Sequence, residues 1–266
     1  MVLSVIVITY NCWGLLWQCM KSVFKKIQGV DYEIIVVDNK SVDETRASIK
    51  KEFPEVVLLL NNKNMGVAKA RNQGMSIAKG RYILILDADA EIISEDFNDL
   101  IRYMDKNTDI GILGCSLISD NNELHPSTRT FPRPIHIILR RLSYIGLVKD
   151  SSILKKHHLA YWDRKAPMKV DFVEGAFQLI RKEAIDKVGL LDGRMFYGFE
   201  DADYCARMIK ADYYVVCYPS FVVKHYLQGI TRKNPFNMMA LRHYLSYMRF
   251  YLKHRQLILG KQHFYK

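Results

Sequence analysis

The first hundred or so residues alternate between short apolar runs and segments of helical spacing, and this alternation constrains the fold more than any other feature. SVIVITY (4–10) and EIIVVD (33–38) are continuously apolar, the pattern of strands buried on both faces, and VVLLL (56–60) and YILILD (82–87) read as a third and a fourth strand. Between them Leu16, Cys19, Met20, Val23 and Ile27 recur at helical spacing, and 66–79 reads as a second helix. Ser41 with Glu44 three positions on has the form of a capping box opening a helix, and Ser94 is the expected cap of a helix with Phe97, Leu100, Ile101 and Met104 inside. IGILGC (110–115) closes the series. Strands alternating with helices predict a doubly wound α/β architecture, a mostly parallel sheet flanked by helices. Ligands of such sheets sit outside the carboxyl ends of the strands. The polar groups there are Thr9-Tyr10-Asn11, Asp38-Asn39 and Asp87-Ala88-Asp89.

The second half reads less cleanly. Residues 120–170 carry ten basic against four acidic side chains, with Pro126, Pro132 and Pro134 near the start and a short helix expected over 135–147. Order returns with a strand at 176–181, a helix from 182 ended by Gly189, and strands near 213–217 and 220–224. In 236–256 Leu241, Tyr244, Leu245, Met248, Tyr251 and Leu252 share one helical face, while Arg242, Arg249 and Lys253 share another. Such a helix either docks on the core or rests on an anionic lipid surface. The expected organisation is one half over 1–119, a second half of the same domain over 120–229, and a basic amphipathic tail over 230–266.

Charge sharpens this division. The net charge is +11, yet residues 1–119 carry fourteen basic and fifteen acidic side chains, and 213–266 carry nine Lys and Arg with no acid. The excess sits in the second half and points to a polyanionic partner there. No apolar run reaches the ~18–20 residues of a membrane span. The opening residues are too short and uncharged a run for a signal peptide and read as a buried strand. Five scattered cysteines without a CxxC pair read as reduced thiols, so the expected location is cytoplasmic.

Three groups of residues carry chemistry. Asp87 and Asp89 emerge together at the end of a strand, where two acids hold a hard divalent cation against a phosphate, or merely cap the following helix. Phe196-Tyr197-Gly198-Phe199-Glu200-Asp201-Ala202-Asp203 places three acids after an aromatic-glycine turn. Carboxylates suit a helix start, but apolar neighbours that desolvate one of them also make a general base. His225 follows an apolar strand and becomes a ligand only if the fold brings it to Asp89.

SVIVITYN (4–11), EIIVVDNKSVDET (33–45), NMGVAKARNQG (64–74), YILILDADA (82–90), EGAFQLIRKEAIDKVGLLD (174–192), FYGFEDADYCAR (196–207) and VVKHYLQG (222–229) together resemble glycosyltransferase family 2, inverting enzymes of the GT-A fold. The resemblance implies that Thr9, Tyr10, Asn11, Asp38 and Asn39 surround the nucleotide base, and that Asn64, Gly66, Arg71 and Asn72 line the nucleotide pocket. It implies further that Asp87 and Ala88 meet ribose or sugar, that Asp89 and His225 hold Mn2+ or Mg2+, and that Asp201 is the base supported by Glu200. Gly175, Ala176 and Tyr197 fall on the acceptor side. HPSTRTFPRP (125–134) is similar to bacterial rhamnosyltransferase-like members, whereas HHLAYWDRK (157–165) matches no pattern. The implied partners are a nucleoside-diphosphate sugar such as dTDP-rhamnose or a UDP-hexose, a saccharide or polyprenyl-pyrophosphate-linked acceptor, and an anionic membrane surface on the cytoplasmic side. The oligomeric state is left open.

Two other classes fit less well. A nucleotidyltransferase normally carries a Gly-rich basic loop after its first strand, and TYNCWGLL has neither feature. A nucleic-acid-binding protein accounts for the charge, but a neutral first half with acids at its strand ends breaks any continuous basic groove.

Overall fold

The four apolar runs become β1 (Leu3–Thr9), β2 (Tyr32–Asp38), β3 (Val57–Leu60) and β4 (Tyr82–Asp87), paired in parallel in the order β3-β2-β1-β4. The computed structural model describes residues 1–144, 148, 151–226 and 237–259. The register sets Thr9 beside Asp38 and Ile8 beside Asp87, so the polar strand ends lie level along one sheet edge. Side chains alternate between the two faces. Tyr82, Leu84 and Leu86 enter one core with Leu16, Met20, Phe97 and Leu100, while Ile83 and Ile85 enter the other with Ala184, Tyr204 and Phe250. Each such buried aliphatic contributes roughly 1.5–3 kcal/mol.

The helices of the first half are α1 (Trp13–Lys26), α2 (Thr45–Glu52), α3 (Val67–Ile77) and α4 (Phe97–Lys106). Leu16, Cys19, Met20 and Val23 of α1 and Phe97, Leu100, Ile101 and Met104 of α4 are buried, as their spacing predicts. Both serine caps are corrected. The Ser41 hydroxyl accepts the Asn11 N–H at 2.9 Å, binding the loop after β1 to the loop after β2, and α2 starts later, at Thr45. The Ser94 hydroxyl accepts the Val222 N–H at 2.8 Å, and Asp96 caps α4 through the Asp99 N–H. In both places a strand or loop distant in sequence takes the hydroxyl that a helix end could have used.

The sheet continues through strands of the second half. After β5 (Ala90–Ile92) and β6 (Ile110–Ile118) come two short strands, β7 (Leu124–His125) and β8 (Thr128–Arg129). Helices α5 (Pro134–Tyr144) and α6 (Ser152–His157) follow, then β9 (Met168–Lys169), β10 (Phe172–Val173) and β11 (Phe177–Arg181). The helix expected over 135–147 is α5, and its last expected positions, 145–147, lie outside the described residues. The chain continues through α7 (Lys182–Val188), closed by Gly189 at φ +83, α8 (Glu200–Lys210) and β12 (Tyr214–His225). Strand β11 lies antiparallel between β4 and β6, and the order runs β3-β2-β1-β4-β11-β6-β12-β5, one sheet containing strands from both halves. The two strands expected near 213–217 and 220–224 are one, β12, whose pairing with β6 shifts register between Tyr218 and Val222. Pro219 lies in that interval and has no N–H to give the ladder.

The last element, α9 (Met238–Leu259), corrects the expected face. Ala240, Tyr247, Phe250, His254 and Ile258 are the buried side chains, whereas Leu241, Tyr244, Leu245 and Leu252 of the expected apolar face are exposed. The helix therefore has two apolar faces, and the aromatic one docks. Residues 227–236 and 260–266, which include the end of the VVKHYLQG motif and both ends of the expected tail, lie outside the described residues.

Candidate active site

The loops after β1 and β2 are held by their own polar groups. Asp38 is fully buried and accepts the Ser41 N–H at 3.0 Å together with the Arg46 Nε–H. Thr9 is buried, its hydroxyl 3.2 Å from Cys12 Sγ, while Tyr10 stands exposed. Asn11 adopts φ +50 and accepts the Val42 N–H at 2.8 Å. Asn39 sits in an amide network. Its Nδ2 donates to Asn64 Oδ1 at 3.0 Å and its Oδ1 accepts from Met65 N at 2.8 Å and Asn61 Nδ2 at 3.2 Å. That network sets the approach to Gly66, whose φ of +81 favours glycine and where a Cβ would fall 2.7 Å from the Phe196 carbonyl oxygen.

Helix α3 delivers Arg71 to the centre of the molecule. The buried guanidinium donates to Asp87, to Glu200 at 3.0 Å and to the Gly175 carbonyl at 2.9 Å, so it braces the site from within. A Cβ at Gly175 would lie 2.6 Å from Arg71 Nη1, which explains a glycine there. Burial alone would lower the charge of Arg71, and Asp87 and Glu200 more than compensate. Asn72, beside it, points elsewhere: its amide donates to the Leu191 carbonyl at 2.8 Å and accepts the Leu191 N–H at 2.9 Å.

Asp87, Ala88 and Asp89 turn from β4 toward β5, with the Asp87 N–H donating to the Ala176 carbonyl at 3.1 Å. β12 pairs with β5 and sets His225 opposite Ala90, which brings the imidazole Nε2 to 3.3 Å from Asp89 Oδ1. Asp87, Asp89 and His225 each offer one ligand atom, all within 4.8 Å of one another. Two carboxylate oxygens and an imidazole suit Mn2+ or Mg2+ that also binds phosphate oxygens. The Nδ1 atom of His225 is buried without a hydrogen-bond partner among the described residues. Burial opposes protonation of His225, but the Asp89 hydrogen bond and the charges of Asp89, Asp87 and Glu174 hold it up, to about 9.

At the start of α8 the three acids take separate tasks. Asp201 accepts the Ala202 N–H at 2.7 Å and the Gly175 N–H at 3.1 Å, and it lines the cavity. Burial raises its pKa from the usual carboxylate value, with Glu174 adding to the effect. Glu200 is pushed up to about 7 by burial and by Asp201, despite Arg71. Asp203 faces away from the cavity and is fully buried. It binds Arg207 Nε at 2.8 Å, Lys253 Nζ at 2.7 Å and His254 Nε2 at 2.8 Å, fastening α8 to α9. Tyr197 is half-buried, its ring 6.0 Å from that of His243 on α9.

Asp87, Glu200, Asp201, His225, Gly175 and Ala176 line one cavity of ≈ 210 Å³. Thr9, Tyr10, Asn11, Asp38, Asn39, Asn64, Gly66, Asn72, Ala88, Asp89 and Tyr197 are not among its lining residues; Asp89 adjoins it through His225, and Asn72 holds the segment after α7. Five polar or charged lining residues carry no assignment from the sequence: Arg129, Arg140, His157, Glu174 and His243. Glu174 pairs with Arg129 and with His125 Nε2 at 2.9 Å, and these charges hold it well below the ordinary carboxylate range although burial pulls the other way. Position 174 directly precedes Gly175 in a recognised motif, a signal that could have found it. His243 arrives on α9, and nothing near it in the sequence announces that.

The sequence profile of glycosyl transferase family 2 matches residues 4–189. The chain is 33% identical over 103 residues to a UDP-Glc:alpha-D-GlcNAc-diphosphoundecaprenol beta-1,3-glucosyltransferase of Escherichia coli, covering 38% of this chain and 41% of that protein. It is 24% identical over 230 residues to an N-acetylglucosaminyl-diphospho-decaprenol L-rhamnosyltransferase of Mycobacterium tuberculosis, covering 81% of this chain and 73% of that one. The first of these alignments thus spans less than half the length of its relative. In structure the chain is similar to a mannosyltransferase from Pyrobaculum calidifontis solved with GDP-Man and Mn2+, with a TM-score of 0.64 at 19% identity over 98% of this chain and 65% of that one. At that identity the likeness establishes the fold, the expected doubly wound GT-A architecture.

Proposed function

The chain belongs to glycosyl transferase family 2, and we propose that it moves a sugar from a nucleoside-diphosphate donor to an acceptor hydroxyl with inversion at the anomeric carbon. The observation that carries this reading is one cavity lined by Asp87, His225 and Asp201 together. Asp201 takes the proton of the acceptor hydroxyl as that oxygen attacks the anomeric carbon from the face opposite the diphosphate. The new carbon–oxygen bond forms as the bond to the diphosphate breaks, and the nucleoside diphosphate leaves. A carboxylate with a raised pKa is the better base for this transfer. Asp87, Asp89 and His225 would hold Mn2+ or Mg2+, which would supply positive charge for the leaving diphosphate. Arg71 and Glu200 keep Asp87 and the start of α8 in register.

Rhamnosyl and glucosyl relatives support dTDP-rhamnose or a UDP-hexose as donor and a lipid-linked saccharide as acceptor. The test is a panel of nucleotide sugars scored for Mn2+-dependent thermal stabilisation and then for product with a lipid-linked sugar. One donor should stand out and give an inverted product. If none stabilises the protein and none yields product, the reading fails.

Helix α9 supports a peripheral position on an anionic membrane. Its exposed Leu241, Leu245 and Leu252 form an apolar stripe on the side away from the docked face, in a stretch (213–266) without a single acid. Leucines partition into the interface and nearby Lys and Arg contribute about 1 kcal/mol each at such a surface. No helix among the described residues is long and apolar enough to cross a membrane. Flotation with phosphatidylglycerol vesicles should carry the protein, and Leu241→Ser with Leu245→Ser and Leu252→Ser should release it; equal flotation of both would refute the membrane role of α9.

A further inference from the structure

One part of the cavity wall carries chemistry that sugar transfer does not use. Arg129 of β8, Arg140 of α5 and His157 of α6 line the same cavity as Asp201, and none of these elements contributes to the strand ends on the donor side. His157 is buried, and its ring stacks on His136 with centroids 4.1 Å apart and lies 5.1 Å from His158. Its Nδ1 is 3.0 Å from Thr130 Oγ1. Three imidazoles and two guanidiniums therefore converge where the sequence run HHLAYWDRK shows no recognisable pattern. Arg133 also bears on His136, and Glu174 is the carboxylate facing the group, already paired with Arg129 and His125. Burial, then the neighbouring cations, depress all three histidines, His136 and His158 to about 4.

Burial and neighbouring positive charge keep these rings neutral, and an anion entering beside them offsets the second effect and favours protonation, which gives each ring a second N–H donor. An arginine presents a fork of N–H donors that matches phosphate oxygens. Ile135 and Ile138 are exposed on α5 alongside Arg140, so apolar surface lies next to this basic wall. Resting on the transferase reading, we propose that the wall formed by Arg129, Arg140 and His157 binds a phosphate or diphosphate group carried by the acceptor, beside the hydroxyl that Asp201 deprotonates. The acceptor is then recognised by its charge, and its sugar hydroxyl is set at a fixed distance from the base.

The experiment uses the full chain with labelled histidines, in EDTA and without nucleotide, titrated with inorganic pyrophosphate and separately with geranyl pyrophosphate. Both probes should shift the His157 and His158 ring signals and raise the pH at which they protonate. Arg140→Gln should weaken pyrophosphate binding by about tenfold or more, the loss of one charge-assisted contact, and Arg140→Lys should restore part of it. Tighter binding of the geranyl compound assigns the group to a lipid carrier; equal binding assigns recognition to the phosphate itself. The proposal is overturned if the histidine signals do not respond, or if UDP or dTDP with Mn2+ displaces the pyrophosphate, which would place it at the donor end. Failure of UDP and dTDP with Mn2+ to bind the wild type would count against the transferase reading alone.

Discussion

Arg71 holds Glu200 through a buried 3.0 Å hydrogen bond across 129 positions of sequence, and the same guanidinium holds Asp87. One side chain on α3 thus joins the acidic end of β4 to the start of α8. Removing it leaves Glu200 buried and Asp87 half-buried without their cation. Arg71→Met should destabilise the fold by about 3–5 kcal/mol, and adding Glu200→Gln should recover part of that loss. Urea denaturation of the single and double variants measures both; a single variant as stable as the wild type would show that Arg71 is not the brace.

Asp201 and Glu200 are neighbours with different tasks. Asp201→Asn should lower turnover by about 10²–10⁴-fold, the usual worth of a general base, and leave the Kd for the donor nearly unchanged. Single-turnover kinetics with donor-binding titrations separates the two effects. Near wild-type turnover would remove Asp201 from the mechanism.

Asp89→Ala and His225→Ala should each weaken donor binding in Mn2+ while leaving binding in EDTA as it was. Calorimetric titration of UDP or dTDP with and without Mn2+ makes the comparison. Affinities that do not depend on the metal in the wild type would rule out the role given to Asp87, Asp89 and His225.

Asp203 is a clasp between α8 and α9. Burial works against its charge, and the hydrogen bonds from His254 and Lys253, with Arg207, outweigh it and depress its pKa. Asp203→Asn should destabilise by about 3–5 kcal/mol and speed amide exchange along α9, while any protein that remains folded keeps its Mn2+-dependent donor binding. Exchange in α9 as slow as in the wild type would refute the clasp.

Stability should fall on acidification through the histidine stack. His136 and His158 are held down to about 4 in the folded protein, chiefly by burial, while the unfolded chain binds those protons near the ordinary imidazole value of 6.5. Between these limits the unfolded state carries more protons, so stability is full above about 6.5 and is lost as pH falls toward 4. Glu200, raised to about 7 chiefly by burial, acts with the opposite sign over part of that window. The check is therefore a difference: His136→Phe should show a shallower fall in Tm between pH 7 and 5 than the wild type. Parallel profiles would exclude the stack as the cause.

Much of the frame was legible in the residues. Strands β1, β2 and β4 announce themselves because burial on both faces demands an unbroken apolar run, and polar residues can resume only where the sheet ends. That is why Asp38, Asp87 and Asp89 stand at one edge, and why the inner faces of α1 and α4 follow from spacing alone. The ordered motifs around Gly66, Gly175 and Asp201 pointed to the family as well.

Partner choice was decided only in three dimensions. Asp201 and Asp203 are two residues apart, about 200° around a helix with 3.6 residues per turn, so they face opposite sides, and only the arrival of Lys253 and His254 makes one a clasp and leaves the other to the cavity. Ser41 and Ser94 carry helix-capping chemistry, yet Asn11 and Val222 reach their hydroxyls instead. Helix α9 has two apolar faces of similar appeal, and aromatic packing on Phe199 selected the one with Tyr247 and Phe250. Local periodicity determined the elements because it acts between residues close in the chain. The assignment of each charge and hydroxyl depended on groups tens to hundreds of residues away, and those meet only when the sheet has brought them together.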